Sequence, residues 1–488
     1  MIEKIMKAVK SGNKKRGRNI TVGAVVGMLL SCTAVMGEDN YLWIRENSGA
    51  IEFNTQKTTG VNGSGGNWNT ANPYDGNEWN KRNNTYTNNI ELSSSTDNGE
   101  SSWGSNISYV LRLSGDLSRI NFVNNGVITG TSSSYSFGIF IEGTIGNITN
   151  NGVIKTVKIG NAYGQSSGIY NRGTINGNIT NNGIINGIYN SGPINGTVIN
   201  NGLLLTDGQS YYGIYNQEII TVILNNGLIK GESSGICNNY KISQNIINNG
   251  SIVGKNRGID YHGTTPIINS GLLKGVLKDQ ERNDYFSGGI YGNGRVPKLL
   301  NIGSMLGIAI RGVSQGAGIY NTTSGEIGSI INMGSITGTS TGSGDGYGIY
   351  NCIKTNFDSN YTRIKAIKNT GVIYGDTNAI ITFSIKSSTE SNAIITSLDN
   401  YGILATKGNS VINDTNGTIT NPPTNYGLHI KDTDGKVILG STLSGPTDII
   451  VDYDDGGNEI KRNMTIKNAE LEGASGSATA TKSITFSG

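Results

Sequence analysis

One eleven-residue phrase recurs along this chain and restricts its fold more than any other feature. It reads INFVNNGVITG at 120–130, GNITNNGIING at 177–187, TVILNNGLIKG at 221–231, QNIINNGSIVG at 244–254, GSIINMGSITG at 328–338 and KAIKNTGVIYG at 365–375. A second phrase, Gly-Ile-Tyr-Asn, falls between copies at 168–171, 187–190, 213–216, 318–321 and 348–351. Self-similarity at a period of roughly 19–37 residues marks a solenoid, in which each repeat buries its apolar face by stacking on the next.

Two kinds of solenoid compete. Helical repeats need apolar residues three and four apart in segments free of glycine. Here Gly and Asn interrupt every few residues, and β-branched Ile, Val and Thr fill the runs between them, which suits short strands joined by turns. The shortest clear repeat, about 19 residues from Asn182 to Asn201, holds three strand-like pieces at 183–186, 187–190 and 195–200. Three strands and three turns per coil describe an all-β fold, a right-handed parallel β-helix. In such a coil Asn and Gly accept left-handed backbone angles at corners. Asn at the same corner of successive coils can also stack, amide on amide. The triplets at 124–126, 181–183, 225–227 and 248–250 are expected to be one corner repeated, with Ile179, Ile184, Ile199 and Leu203 among the inward residues. Tyr170, Tyr189, Tyr215, Tyr320 and Tyr350 recur in the second phrase; either an outer ladder or the coil interior would accommodate them.

Composition supports this reading. The 488 residues include 72 Gly but only 7 Pro, and charged residues make up 15%, against roughly 25% in ordinary globular proteins. The formal net charge of +3 provides no strong field for nucleic acid. A disordered Asn/Gly-rich polypeptide is the competing reading, and the aliphatic alternation kept in each copy argues against it. Of three cysteines, Cys32 lies in the leader, while Cys237 and Cys352 fall in different repeats and read as small apolar fillers.

The sequence divides into four segments. Residues 1–37 read as a secretory signal: a basic stretch with Lys4, Lys7, Lys10, Lys14, Lys15, Arg16 and Arg18 precedes an almost uncharged run at 20–34. Leu29-Leu30-Ser31-Cys32 is similar to a lipobox, so lipidation of Cys32 is the alternative to ordinary cleavage after Gly37. Residues 38–119 carry all four tryptophans, Trp43, Trp68, Trp79 and Trp103. They are expected to cap the open end of the first coil, with a sugar-binding module as the rival. Residues 120–421 are the β-helix repeats. Residues 422–488 are a degenerate β-rich continuation. Insertions at 131–136, 206–212, 277–286, 339–346 and 355–362 flank the Gly-Ile phrases, and insertions on one side of a solenoid often build its binding face.

No catalytic, metal-binding or cofactor-binding residue stands out. The two histidines, His262 and His429, lack partners at metal-ligand spacing. Glycine-rich stretches do not open helices as phosphate loops do. Gly344-Asp345-Gly346 and the run DYDDGG at 452–457 read as solvated acidic turns rather than calcium loops. Polysaccharide-active β-helices cluster Asp, Arg or Lys on one face. The nearest groups here are Arg257, Asp260 and His262, then His429, Lys431 and Asp432, each a short charged patch. The expectation is a protein that is not an enzyme and holds no cofactor.

The leader and its continuation, KKRGRNITVGAVVGMLLSCTAVMGEDNYLWI at 14–44, together with the NNG and GIYN repeats, resemble the passenger regions of fusobacterial-type autotransporters of the type V secretion family. The resemblance covers most of the sequence; filamentous-haemagglutinin-like proteins use similar coils. It implies Sec export, passage through an outer-membrane β-barrel translocator, and display at the cell surface or release as an adhesin or virulence factor. Residues 428–488 are too short for the barrel itself and do not close on an aromatic residue, so the translocator is expected in cis beyond a truncated end, or in trans. The resulting expectation is an adhesin-like structural and binding stalk with a host glycan or protein receptor as partner and no nucleic acid. A β-helical polysaccharide lyase or hydrolase and a lipid-anchored structural surface protein are the alternatives.

Overall fold

A computed structural model describes residues 40–471, apart from 56–66, 95–98, 101–105, 133–134, 159–165, 207–210, 278–285, 311–314, 323, 342, 354–360, 385–392, 409, 426, 432–435, 440–447, 454–458 and 464–469. The expected signal at 1–37, Cys32, Trp103, Asp432 and most of the five insertions lie outside the described residues. Every described element is a β-strand, and the fold is a parallel β-helix. It forms two compact units, one ending at Gln244 and the other starting at Asn245.

In the N-terminal unit each coil visits three parallel sheets in turn. Strand Ser167–Asn171 lies in the first sheet, Thr174–Ile175 and Ile179–Asn181 in the second, and Ile184–Ile185 in the third. The next coil repeats the path with Ile188–Asn190, Ile194–Asn200 and Leu203–Leu205. The three strand pieces read from the 19-residue repeat therefore form, within a residue or two of their expected limits.

Register explains why aliphatics recur at fixed positions. Leu111, Ile139, Ile169, Ile188, Ile214 and Ile236 pair in sequence down the first sheet. Leu92, Ile128, Ile154, Ile185, Leu204 and Ile229 do so down the third. All are buried. The C-terminal unit does the same with Ile259, Ile290, Ile319, Ile349 and Ile380. Each coil thus adds one aliphatic layer per sheet, and burial of each such residue contributes roughly 1.5–3 kcal/mol.

The corner differs from expectation in its mechanism. Among the described residues, positive φ occurs at Ser48, Asn84, Ser324, Gly49, Gly76, Gly115, Gly187 and Gly292; none belongs to an Asn-Asn-Gly triplet. The triplet glycines are required by close approach instead. A Cβ on Gly152 would lie 2.0 Å from the carbonyl oxygen of Gly126, one on Gly183 2.0 Å from that of Gly152, and one on Gly202 2.1 Å from that of Gly183. Coils stack backbone on backbone at this edge, which leaves no room for a side group.

The asparagines form the ladder expected of them, in duplicate. The first Asn of each triplet points inward. Asn88, Asn124, Asn150, Asn181 and Asn200 each donate from Nδ2 to Oδ1 of the next coil's Asn, over 2.8–2.9 Å, ending at Asn225. These side chains are buried, and several Nδ2 groups also donate to a backbone carbonyl, as Asn181 does to Leu203 O at 3.1 Å. The second Asn of each triplet points outward, and its ladder runs the opposite way: Asn226 donates to Asn201, Asn201 to Asn182, Asn182 to Asn151, Asn151 to Asn125 and Asn125 to Asn89, over 2.8–2.9 Å. The C-terminal unit keeps the inner ladder, from Asn248 through Asn269, Asn301, Asn332, Asn369 and Asn400 to Asn425. Its outward positions include Ile302 and Met333.

The coil register begins ahead of residue 120. Thr85–Asn88 pairs in parallel with Asn121–Asn124, Glu91–Ser94 with Val127–Ser132, and Leu42–Asn47 with Asn106–Ser114. Antiparallel hairpins stand at this end: Leu42–Asn47 with Ala50–Asn54, and Glu78–Asn80 with Thr85–Asn88. They occupy hydrogen-bonding edges that an open sheet would expose. In the C-terminal unit an antiparallel partner, Lys436–Leu439, lies against Leu428–Lys431.

Candidate functional site

The structure brings Arg257, Asp260 and His262 together on strand Arg257–Tyr261 and the residue that follows it. Asp260 is buried, and its carboxylate lies between Arg257 and His262. Arg257 Nη1 donates to Oδ2 at 2.5 Å, and His262 Nε2 lies 3.1 Å from Oδ1. The Arg257 guanidinium lies 3.6 Å over the ring of Tyr291 in the next coil. His262 is part-exposed, and its Nδ1 lies 2.7 Å from Asn293 Oδ1. The Asp260 hydrogen bond, reinforced by its charge and by Asn293, holds the His262 pKa above its ordinary value of 6.5 against the opposing effect of burial. Both imidazole nitrogens face oxygen acceptors, so the protonated ring satisfies both at once. Contrary to the expectation from sequence spacing, the fold also brings Cys237 to this cluster: its Sγ, an Asp260 carboxylate oxygen and a His262 ring nitrogen lie within 4.8 Å of one another, a set of ligand types able to hold a metal ion.

The second charged patch is different in kind. His429 stands in register with Leu404 of the preceding coil, a position aliphatic in the coils before it. Its Nε2 is buried with no hydrogen-bond partner among the described residues. Burial pushes its pKa down to about 4. Only the backbone of Lys431 is described. Asp345 accepts from Thr377 Oγ1 at 3.0 Å, which turns its carboxylate toward its own fold.

A feature without a sequence motif lies in the N-terminal unit. Trp43, Arg45, Arg112, Glu142 and Arg172, with Ser114, line an open groove of about 590 Å³. Trp43 stands in register with Arg112, and Arg112 with Phe140. Arg112 lies 4.0 Å over the Trp43 ring, donates from Nε to Glu142 Oε2 at 2.8 Å and from Nη1 to the Tyr109 hydroxyl at 3.1 Å. Trp43 Nε1 donates to Ser114 Oγ at 2.8 Å. Arg45 lies 3.6 Å over Trp68 and pairs with Glu52 at 2.8 Å. Arg172 is exposed, and its guanidinium has no partner among the described residues. The floor is thus fixed by stacked cation–π pairs, with one uncommitted cation at the rim. The parent residues lie 30 to 71 positions apart, so only a register worked out coil by coil would have assembled them.

The tyrosines of the second phrase settle on the outer side of the first sheet. Tyr170, Tyr189 and Tyr215 stand in register, with ring centroids 4.9 and 5.0 Å apart. They continue the column that starts at Trp43, Arg112 and Phe140. A polar column runs beside them: Ser191 Oγ bonds the Tyr170 hydroxyl, Tyr189 donates to Gln217 Oε1 at 2.8 Å, and Asn239 Nδ2 donates to the Tyr215 hydroxyl at 2.9 Å. In the C-terminal unit Tyr291, Tyr320 and Tyr350 repeat the column at 4.9 Å spacings. There Phe286 and Tyr347 pack against it, Tyr320 and Tyr350 are buried, and burial holds their hydroxyls well above the ordinary range. Cys237 and Cys352 are buried and belong to no disulfide, and each meets a polar partner rather than acting only as an apolar filler: Cys237 Sγ lies 3.5 Å from Asn239 Oδ1, and Cys352 Sγ 3.3 Å from the Tyr320 hydroxyl.

No family model, no curated protein and no solved structure matches this sequence.

Proposed function

We propose that the protein is the passenger of an autotransporter-type secretion system, exported through the Sec pathway and carried by an outer-membrane β-barrel translocator in cis or in trans. It is displayed at the cell surface or released, and acts as an adhesin-like binding scaffold toward a host glycan or protein receptor. The observation that carries the binding part of this reading is the Trp43–Arg112 groove. It is preformed on rigid coils, it is continuous with the outward column Phe140, Tyr170, Tyr189 and Tyr215, and it leaves the Arg172 guanidinium uncommitted at its rim. The groove is shallow and mostly polar, lined by one aromatic ring with Arg45, Glu46, Arg112, Glu142 and Arg172, so it suits a polar or charged ligand group laid along the surface.

The test is made in the source cells. Antibody labelling and protease shaving of intact cells should find the protein outside, and cells lacking it should lose attachment to host surfaces. Arg172→Glu should weaken attachment while leaving surface display unchanged. Confinement of the protein to the cytoplasm would remove the secretion reading. Normal attachment by the Arg172→Glu cells would remove the groove from it.

A further inference from the structure

The Asn-Asn-Gly corner has a chemical hazard built into its sequence. In an Asn-Gly pair the glycine nitrogen can lose its proton and attack the carbonyl carbon of the asparagine amide. A new bond from that nitrogen to that carbon closes a five-membered succinimide, the bond from the carbon to the amide nitrogen breaks, and the amide nitrogen leaves as ammonia. Water then opens the ring to aspartate or isoaspartate. The reaction needs two freedoms: a glycine N–H released from hydrogen bonding, and an asparagine amide able to turn onto it.

The coil removes both freedoms at five successive pairs. Gly126 donates its N–H to Asn88 O at 3.1 Å, Gly152 to Asn124 O at 3.0 Å, Gly183 to Asn150 O at 3.1 Å, Gly202 to Asn181 O at 3.0 Å and Gly227 to Asn200 O at 3.0 Å. Each preceding asparagine, namely Asn125, Asn151, Asn182, Asn201 and Asn226, has its amide held by the outer ladder at 2.8–2.9 Å. Coil stacking demands a Cβ-free glycine here but leaves the residue before it open, as Ile302 and Met333 show in the C-terminal unit; where that residue is asparagine, the coil immobilises the reactive dipeptide. We propose that the outer asparagine ladder acts as a chemical guard, holding these five Asn-Gly pairs of the Asn-Asn-Gly corner against succinimide formation for as long as the coil is closed.

The full-length protein is incubated at mildly alkaline pH and physiological temperature, folded and in urea, and isoaspartate is read peptide by peptide by mass spectrometry. The folded protein should convert these five asparagines at least about tenfold more slowly than the unfolded protein, because reaction first requires local opening. Equal rates would overturn the proposal. A second measurement separates the ladder from folding in general. In Asn151→Ala the amide of Asn182 loses its acceptor, while Gly183 keeps its bond to Asn150 O. Conversion at Asn182 should rise several-fold over wild type while that at Asn226, two coils on, stays unchanged. An unchanged rate at Asn182 in a variant that remains folded would show that the ladder contributes nothing and overturn its role.

Discussion

The hydroxyl of Tyr261 donates to Oδ1 of Asn321 across 2.8 Å, although the two residues belong to coils separated by a third. The coil between contributes Gly292 at the same register position. Elsewhere an asparagine occupies this position and bonds its neighbour, as Asn321 does to Asn351. Here a buried tyrosine spans two coils, and the absence of a side group at Gly292 leaves it room. A Cβ on Gly292 would lie 2.9 Å from Tyr261 Cδ1 and 1.8 Å from Tyr261 O.

Tyr261→Phe should therefore destabilise the C-terminal unit by roughly 1–3 kcal/mol, since it leaves a buried amide oxygen without its donor. Gly292→Ala should cost more, because the added methyl meets backbone as well as ring. Urea titration followed by circular dichroism ranks the two. An Ala variant as stable as wild type would mean that the coils are not stacked this closely.

The two ladders of the Asn-Asn-Gly corner should differ sharply in energy. Asn181→Ala leaves Asn200 Oδ1 and Leu203 O without this buried donor and takes from Asn150 Nδ2 one of its acceptors, a loss of about 2–5 kcal/mol. Asn182→Ala removes only solvent-facing bonds, and its cost should stay within about 0.5 kcal/mol. Denaturant midpoints of the two variants decide the matter; similar shifts would contradict the assignment of inner and outer faces.

The histidines give stability opposite pH dependences. His429 has a lowered pKa, so its contribution is complete above 6.5 and is lost as pH falls toward about 4, where the folded state also takes up the proton. His262 has a raised pKa, so the stability from its bonds to Asp260 and Asn293 is complete below 6.5 and is lost as pH rises through the folded value. Urea midpoints across this range should show His429→Leu losing less stability than wild type on acidification. They should show His262→Gln losing less on passing from acid to neutral pH. Parallel curves for wild type and variants would contradict both assignments.

Much of this architecture was legible in the sequence because a solenoid writes its period directly into its residues. The 19-residue repeat, the inward position of Ile179 and the corner ladder follow from short-range pattern; Ile184, Ile199 and Leu203, expected inward, stand half-buried on the outer side, because the strand alternation gives the buried positions to their neighbours Ile185, Val198 and Leu204. The role of Gly152 and Gly183 was not legible: a glycine needed for close approach and one needed for left-handed backbone look alike in sequence. The coils at 85–94 were hidden because Asn88-Asn89 lacks the glycine of the full phrase, yet Asn88 starts the inner ladder. The groove was hidden for a different reason. Trp43, Arg112 and Glu142 share no motif, and only their register puts them side by side. The Arg257, Asp260 and His262 patch was visible as a charged cluster, but that both ring nitrogens are occupied depends on Asn293, one coil away.

The central claim is that successive copies of the phrase stack in parallel, in register, one coil apart. The most direct test introduces cysteines at two outer-ladder positions of the full-length protein, Asn182→Cys with Asn201→Cys, and oxidises mildly. Strand spacing of about 4.8 Å brings these positions within the roughly 4.4–6.8 Å that a disulfide spans, so the pair should cross-link in nearly full yield. Asn182→Cys with Asn226→Cys, two coils apart, should remain reduced. Failure of the first pair, or equal cross-linking of both, would contradict the in-register coil.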